Sequence, residues 1–265
     1  MNIENGTLHT EFESFDYVRF GRGMDLVMIP GLGDGLTTVG GKAFLGNIMF
    51  SDYARNYRVT IISRQNEMKE GETTLSMADD EARAFGVLGI KKAHIVGISQ
   101  GGMIAQHFAA KYPHLVDKLV LVVTVPKSNE LIIKNAGEWL SMAGNKDYEA
   151  IMKSILEKAH PPKYLRKLEL FYPFITRVGK PKDFKRFIIQ CHACMTHDAE
   201  AVLDKIEAPT LIIGGKKDET LGYEGSIELA KSIKNSEVFI YPEMGHALYE
   251  DAKDFNKRVL SFLEE

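Results

Sequence analysis

Disulfides are the first thing this chain lacks. Two cysteines in 265 residues are too few for a disulfide framework, which fits a reducing compartment. A long apolar run is missing too: the longest, Leu119 to Val125, contains Thr124 and falls far short of the roughly 20 residues of a membrane-spanning helix. The opening Met1-Asn2-Ile3-Glu4-Asn5-Gly6 has no basic stretch followed by an apolar run, as a secretory signal has, so the expected location is the cytoplasm. Nor does one sign of charge dominate. With 33 Lys and Arg against 36 Asp and Glu, a formal net charge of −3, the whole molecule has no electrostatic footprint for a polyanion, which excludes a general nucleic-acid binder. What is present is ordinary for a globular protein: 45% hydrophobic, 26% charged and 9% aromatic residues. That is enough to bury the core of one large domain, or of one domain carrying an insertion.

Periodicity organises the chain. Leu8 to Phe15 and Tyr17 to Phe20 alternate like strands, with a break near Ser14 to Asp16, and predict an opening antiparallel hairpin. Leu26 to Ile29, Arg58 to Ile62, His94 to Val96, Leu119 to Val125, Thr210 to Ile213 and Glu237 to Tyr241 are short apolar runs bounded by Gly, Pro or charge. They read as parallel strands covered on both faces. Between them, Leu75 to Leu88, Gly101 to Tyr112, Gly225 to Ile233 and Asp251 to Leu263 have helical spacing, so the class is α/β. From Pro126 to Asp204 the rhythm fails. Glu130 to Met142, Tyr148 to Ala159, Tyr164 to Ile175 and Asp183 to Met195 follow one another as helices, separated by Gly144-Asn145, Pro161-Pro162 and Gly179-Lys180-Pro181. This predicts an all-helical insertion above the C-terminal ends of the strands, where open α/β sheets bind ligands.

The chemistry centres on Gly97-Ile98-Ser99-Gln100-Gly101-Gly102, between a strand and a helix. A serine on such a sharp turn has a strained backbone, and the residues two before and two after it must be nearly free of side chain. Gly97 and Gly101 meet that need. The turn pushes the Ser99 hydroxyl out of the sheet and sets the Gln100 N–H at a helix N-terminus, where a developing oxyanion is stabilised. Serine at its free pKa needs a base, and the base needs an orienting acid. Asp218 follows the strand Thr210 to Ile213, and His246 follows Glu237 to Tyr241, in loops at the sheet edge that carries Ser99. The order Ser, Asp, His at successive strand ends is the specific signal. Pro30-Gly31-Leu32-Gly33-Asp34-Gly35 supplies a glycine-rich loop after Leu26 to Ile29, fit to bring a second backbone N–H to the reacting oxygen. The competing nucleotide-loop reading fails, because neither the lysine-serine/threonine ending of a phosphate loop nor an intact G-x-G-x-x-G is present.

Together these motifs resemble the α/β-hydrolase superfamily, in its serine-hydrolase, esterase-like branch with a helical cap, from about Leu26 to the C-terminus. The resemblance implies an α/β-hydrolase fold: a mostly parallel twisted sheet flanked by helices, with residues 1–126 and 205–265 as the core domain and 127–204 as an inserted helical cap or lid. It implies Ser99 as nucleophile, His246 as general base and then acid, Asp218 as the orienting acid, and Leu32 and Gln100 as backbone donors of the oxyanion hole. Two departures stand out. Pro30-Gly31 replaces the frequent His-Gly, and Ser63-Arg64-Gln65-Asn66-Glu67 keeps only the arginine of the D-x-R-G-x-G pattern. A serine at the nucleophile position argues against the haloalkane dehalogenase and epoxide hydrolase branches, where a carboxylate attacks.

Other signals carry less. Cys191-His192-Ala193-Cys194, with His197 behind it, has no second ligand pair for zinc and lies late in a helix, unlike a thioredoxin-type motif; the cysteines are expected to face the core or the pocket roof. No metal site and no cofactor are expected. Between Lys127 and Met195 there are 13 Lys and Arg against 7 Asp and Glu. A solvated helix face accounts for most such excesses, while the sharper reading is that some of Lys163, Arg166, Lys167, Arg177, Lys182, Lys185 and Arg186 attract an anionic substrate. Trp139, Met142, Phe171, Phe174 and Phe187 recur at helical spacing; with Met103 they are the candidate lining of an apolar pocket, against the plainer reading of core packing. The expected function is hydrolysis of an ester, lactone or thioester of a small-molecule substrate. Hydrolysis of a carbon–carbon bond or perhydrolysis at the same site, or a ligand receptor without turnover, are the alternatives. A homodimer is left open, with no residue-level argument for it.

Overall fold

The computed structural model describes residues 3–11, 13–168, 172 and 179–265. Among these, eight strands form one sheet: β1 Ile3–His9, β2 Ser14–Gly21, β3 Met24–Ile29, β4 Tyr57–Gln65, β5 Ala93–Ile98, β6 Val116–Val122, β7 Thr210–Gly215 and β8 Ser236–Tyr241. Their order is β1-β2-β4-β3-β5-β6-β7-β8. β1 and β2 pair antiparallel, β2 meets β4 antiparallel, and β3 to β8 run parallel. The chain leaves β3 for β4 on one side and returns to β5 on the other. This reversal is the topological switch point of an open α/β sheet, where loops from two adjacent strands diverge and leave a crevice.

β5, β6 and β7 are buried along almost their whole length, as near-continuous Val/Ile/Leu runs predict; β8, at the edge of the sheet, is buried only at Tyr241, so Glu237 to Tyr241 is not covered on both faces as expected. One apolar cluster packs the helices Thr74–Leu88 and Gln100–Lys111 on one face of the sheet, and a second packs Phe255–Glu264 on the other. The first of these helices opens with a reciprocal cap between Thr73 and Ser76 and closes on Gly89 at φ 68°, a left-handed position that glycine takes at no steric cost.

Three local expectations shift. The first turn lies at Thr10 to Glu13, closed by Thr10 N–H donating to the Glu13 carbonyl, and not at Ser14 to Asp16. The polar residues there stay inside β2 because the Asp16 carboxylate accepts from the Thr7 and Thr38 hydroxyls. The apolar run Leu119 to Val125 leaves the sheet after Val122, because Val123 takes φ 44°; Thr124 and Val125 stay buried by packing on Gly102 and Gly225. Finally, the helices Ala43–Met49 and Ser51–Ala54 escaped the periodicity reading. Phe44, Leu45, Ile48 and Met49 point to solvent, so the pattern there is not that of an amphipathic helix facing a core.

Between β6 and β7 come the helices Glu130–Gly144, Tyr148–Ala159, Pro162–Leu168 and Lys185–Met195. They match the expected helical stretches, except that Tyr164 to Ile175 passes beyond the described residues. The first, second and fourth of these share a cluster of their own, with Trp139, Tyr148, Ile151, Phe184 and Phe187 buried around Leu36.

Candidate active site

The end of β5 builds the site. Ser99 has φ 56° and ψ −120°, a conformation that costs a non-glycine residue about 1–3 kcal/mol and persists only where its surroundings over-determine it. Four hydrogen bonds do so. Ser99 N–H donates to the Val122 carbonyl at 2.9 Å, and the Ser99 carbonyl accepts from Gly102 N–H (2.9 Å), Met103 N–H (3.2 Å) and the Thr124 hydroxyl (2.9 Å). The flanking glycines are required by contact. A Cβ on Gly97 would lie 2.6 Å from the Gly101 carbonyl oxygen, and one on Gly101 would fall onto the Ile29 carbonyl.

Two other strand ends bring the partners. His246, after β8, points Nε2 at Ser99 Oγ across 2.9 Å and Nδ1 at Asp218 Oδ2 across 2.7 Å. Asp218, after β7, has its second oxygen held by Thr220 N–H (2.8 Å) and Leu221 N–H (2.9 Å). Those bonds fix the carboxylate plane and so the histidine tautomer, with Nδ1–H donating to Asp218 and Nε2 facing the hydroxyl. Asn135 pins the same loop by donating to the Glu219 and Thr220 carbonyls at 2.9 and 3.0 Å. Ser99, Asp218 and His246 are each buried. The low dielectric around them strengthens every dipole aimed at the hydroxyl.

The loop after β3 crosses directly in front. A Cβ on Gly31 would sit 3.3 Å from Ser99 Cβ, so the Pro30–Gly35 segment passes within van der Waals reach of the serine. Leu32 opens a 3₁₀ turn, Leu32–Gly35, and Gln100 opens the helix Gln100–Lys111; N–H groups at such starts have no acceptor within their own turn.

The structure distributes the expected pocket residues unevenly. Met103 is buried with Val125, Ile132, Cys194 and Leu221, and Leu32 packs against this cluster. Trp139, Met142 and Phe187 pack instead with the helices between β6 and β7, and the Trp139 indole N–H donates to the Ser154 hydroxyl at 3.0 Å. Phe171 and Phe174 lie outside the described residues, as does Arg177. Arg186 is not a free cation: it pairs with Asp34 Oδ2 at 2.8 Å and also donates to the carbonyls of Asp34, Arg64 and Gln65. Lys163, Arg166, Lys182 and Lys185 are exposed. Cys191 and Cys194 are buried free thiols; Cys194 accepts from Gln100 Nε2 at 3.1 Å and burial pushes its pKa up to about 12. Among the described residues no group of three or more His, Cys, Asp or Glu is placed to hold a metal ion, and no helix is long and apolar enough to cross a membrane.

Sequence reasoning missed Thr124, Asn135 and the Arg64–Asp34–Arg186 cluster. Only a polar residue inside an apolar run, and the single arginine surviving from the D-x-R-G-x-G pattern, could have pointed to the first and last.

Comparison with known proteins agrees with this fold. A family model described as the alpha/beta hydrolase fold matches residues 27–154, and one described as TAP-like protein matches residues 183–265. A "2-hydroxy-6-oxononadienedioate/2-hydroxy-6-oxononatrienedioate hydrolase" of Pseudomonas sp is 27% identical over 186 residues, 66% of this chain and 64% of that protein. The match therefore spans just under two thirds of that relative's length. The protein of the same description from Burkholderia vietnamiensis strain G4 is 28% identical over 251 residues, 90% of this chain and 86% of its own. Among solved structures, the enol-lactonase from Burkholderia xenovorans LB400 superposes with a TM-score of 0.82 over 98% of this chain and 100% of that one; at 19% identity this is a likeness of fold. The chain has the α/β-hydrolase fold, and residues 27–154 match the family model of that description.

Proposed function

We propose that the protein is a serine hydrolase that transfers an acyl group from a small-molecule substrate to water. The observation that carries this reading is the single line of hydrogen bonds from Ser99 Oγ through the His246 imidazole to Asp218. His246 Nε2 takes the Ser99 proton as Oγ bonds to the substrate carbonyl carbon. The resulting oxyanion rests on Leu32 N–H and Gln100 N–H. The tetrahedral intermediate collapses, the leaving group departs with the proton from His246, and Ser99 holds the acyl group. Water, deprotonated by the same imidazole, attacks the acyl carbon; the acid leaves and Ser99 regains its proton. No cofactor or metal enters this cycle. In this reading residues 127–204 form a lid over Ser99, and Met103 contributes to the apolar lining.

Esters, lactones and thioesters fit this cycle directly. A second reading is favoured by the relatives: the substrate in their names is an oxo-dienedioate, with a ketone and no ester. Hydrolysis there breaks a carbon–carbon bond next to the 6-oxo carbon, and the leaving carbanion, stabilised by conjugation, is protonated in place of an alkoxide.

Labelling with a fluorophosphonate probe tests the nucleophile. Wild type is expected to label, and Ser99→Ala and His246→Ala are not; a folded wild type that stays unlabelled overturns the reading. Product analysis with p-nitrophenyl esters and with a 2-hydroxy-6-oxo-dienedioate then separates ester from carbon–carbon cleavage.

A further inference from the structure

Arg64, at the end of β4, is 2% exposed and is among the largest fully buried side chains of the protein. Burying a guanidinium costs several kcal/mol unless it is fully paired, and this one is not: its Nε and Nη1 have no hydrogen-bond partner among the described residues. All its side-chain hydrogen bonding goes through Nη2, which donates to the Pro30 carbonyl and to Gln100 Oε1, the latter at 3.0 Å. Those acceptors belong to the two segments that carry the proposed donors. Pro30 is two residues before Leu32, and Gln100 follows Ser99. The other face of the Gln100 amide donates to the Gln190 carbonyl (2.8 Å) and Cys194 Sγ (3.1 Å), so the side chain cannot turn away.

The far end of the loop is held by the same strand. Arg64 N–H donates to Asp34 Oδ2 at 3.1 Å, where Arg186 Nη2 also donates at 2.8 Å. Leu32 therefore lies between two clamped points. Glu81, which also faces Arg64, is pushed by burial up to about 8, and burial likewise lowers the pKa of Arg64.

We propose that Arg64 is a positioning residue for the oxyanion hole: it ties the Pro30–Leu32 loop to Gln100 and so holds in register the two segments that carry the donor N–H groups. This deepens the serine-hydrolase reading and rests on it. The hydrogen bonds from those N–H groups are stronger in the transition state than with bound substrate, because only then does the oxygen carry full charge. Loss of the register lowers kcat and leaves KM nearly unchanged.

The test compares wild type, Arg64→Met and Arg64→Lys on p-nitrophenyl butyrate, with far-UV circular dichroism and Tm to verify folding. Arg64→Met is expected to lose roughly 10- to 100-fold in kcat with KM within twofold. Arg64→Lys, which keeps the charge but not the fork, recovers part of that loss. Affinity for a trifluoromethyl ketone, which adds to serine as an oxyanion, falls by the same factor, while affinity for the corresponding alcohol does not. If Arg64→Met fails to fold, Arg64→Lys and Gln100→Leu, which removes the acceptor and keeps the backbone N–H, carry the test: both are expected to lower kcat more than KM. Folded variants with kcat within twofold of wild type overturn the inference alone. A wild type with neither Ser99-dependent turnover nor fluorophosphonate labelling overturns the serine-hydrolase reading and this inference with it.

Discussion

His160 Nδ1 lies 2.9 Å from Asp251 Oδ2, both side chains nearly buried, and ties the end of the helix Tyr148–Ala159 to the segment five residues past His246. Ala247 N–H donates to the Ala159 carbonyl at 2.9 Å beside it. The loop carrying His246 is thus braced from the helical segment and not only from the sheet. Asp251→Asn is expected to cost about 2 kcal/mol in urea unfolding, as a buried charge-assisted hydrogen bond does, and to lower kcat/KM several-fold by loosening His246. An unchanged unfolding midpoint would show that the bridge contributes nothing.

Asp218 works through the imidazole. With Oδ2 replaced by an amide nitrogen, Asp218→Asn donates where it must accept, and the neutral histidine turns its proton toward Ser99. Expected is a loss of roughly 10³- to 10⁴-fold in kcat with Tm close to wild type, read from steady-state rates. A loss under tenfold would remove Asp218 from its assigned role.

The glycines around the site divide by contact. Gly97→Ala would set a Cβ 2.6 Å from the Gly101 carbonyl oxygen, backbone that cannot move aside, whereas Gly33 has nothing within 4 Å of a built Cβ. Gly97→Ala is expected to destabilise by more than ~2 kcal/mol and Gly33→Ala by less than ~0.5 kcal/mol. Paired thermal melts decide, and equal Tm values for the two would contradict the packing described.

Burial raises Glu81 from the ordinary 4.5 to about 8, opposed by Arg64 and reinforced by Asp80 and Asp34. A carboxyl with a raised folded-state pKa holds its proton in the native state where the unfolded chain has released it. Its stabilising contribution is complete below pH 4.5 and is lost as pH rises through 8. Glu81→Gln keeps the neutral shape and removes this dependence. Relative to wild type, the variant should gain more than ~1 kcal/mol in unfolding free energy between pH 5 and pH 9; parallel curves at the two pH values would refute the assignment.

The local sequence settled the features that depend on near neighbours. Apolar runs bounded by Gly and Pro marked the parallel strands because burial on both faces leaves no polar alternation to read. Gly97 and Gly101 marked the turn at Ser99 because sterics there act over a few residues. The linear order of Ser99, Asp218 and His246 pointed to one edge because parallel strands all end on it. Tertiary structure alone decided the rest. Asp218 and His246 are 28 residues apart in the chain, and His246 is 147 from Ser99, so their 2.7 and 2.9 Å contacts arise only when β5, β7 and β8 share a sheet. The side of the molecule that Trp139 and Phe187 face was equally illegible, since helical spacing gives a stripe but not its partner. In sequence, Arg64 stands only as the arginine kept from the D-x-R-G-x-G pattern, and Arg186 only as one of several cations between residues 163 and 186. What set them behind the Pro30–Gly35 loop was the pairing of β3 with β4 and the packing of the helix Lys185–Met195 on Asp34, contacts between residues up to 152 positions apart that no local pattern encodes.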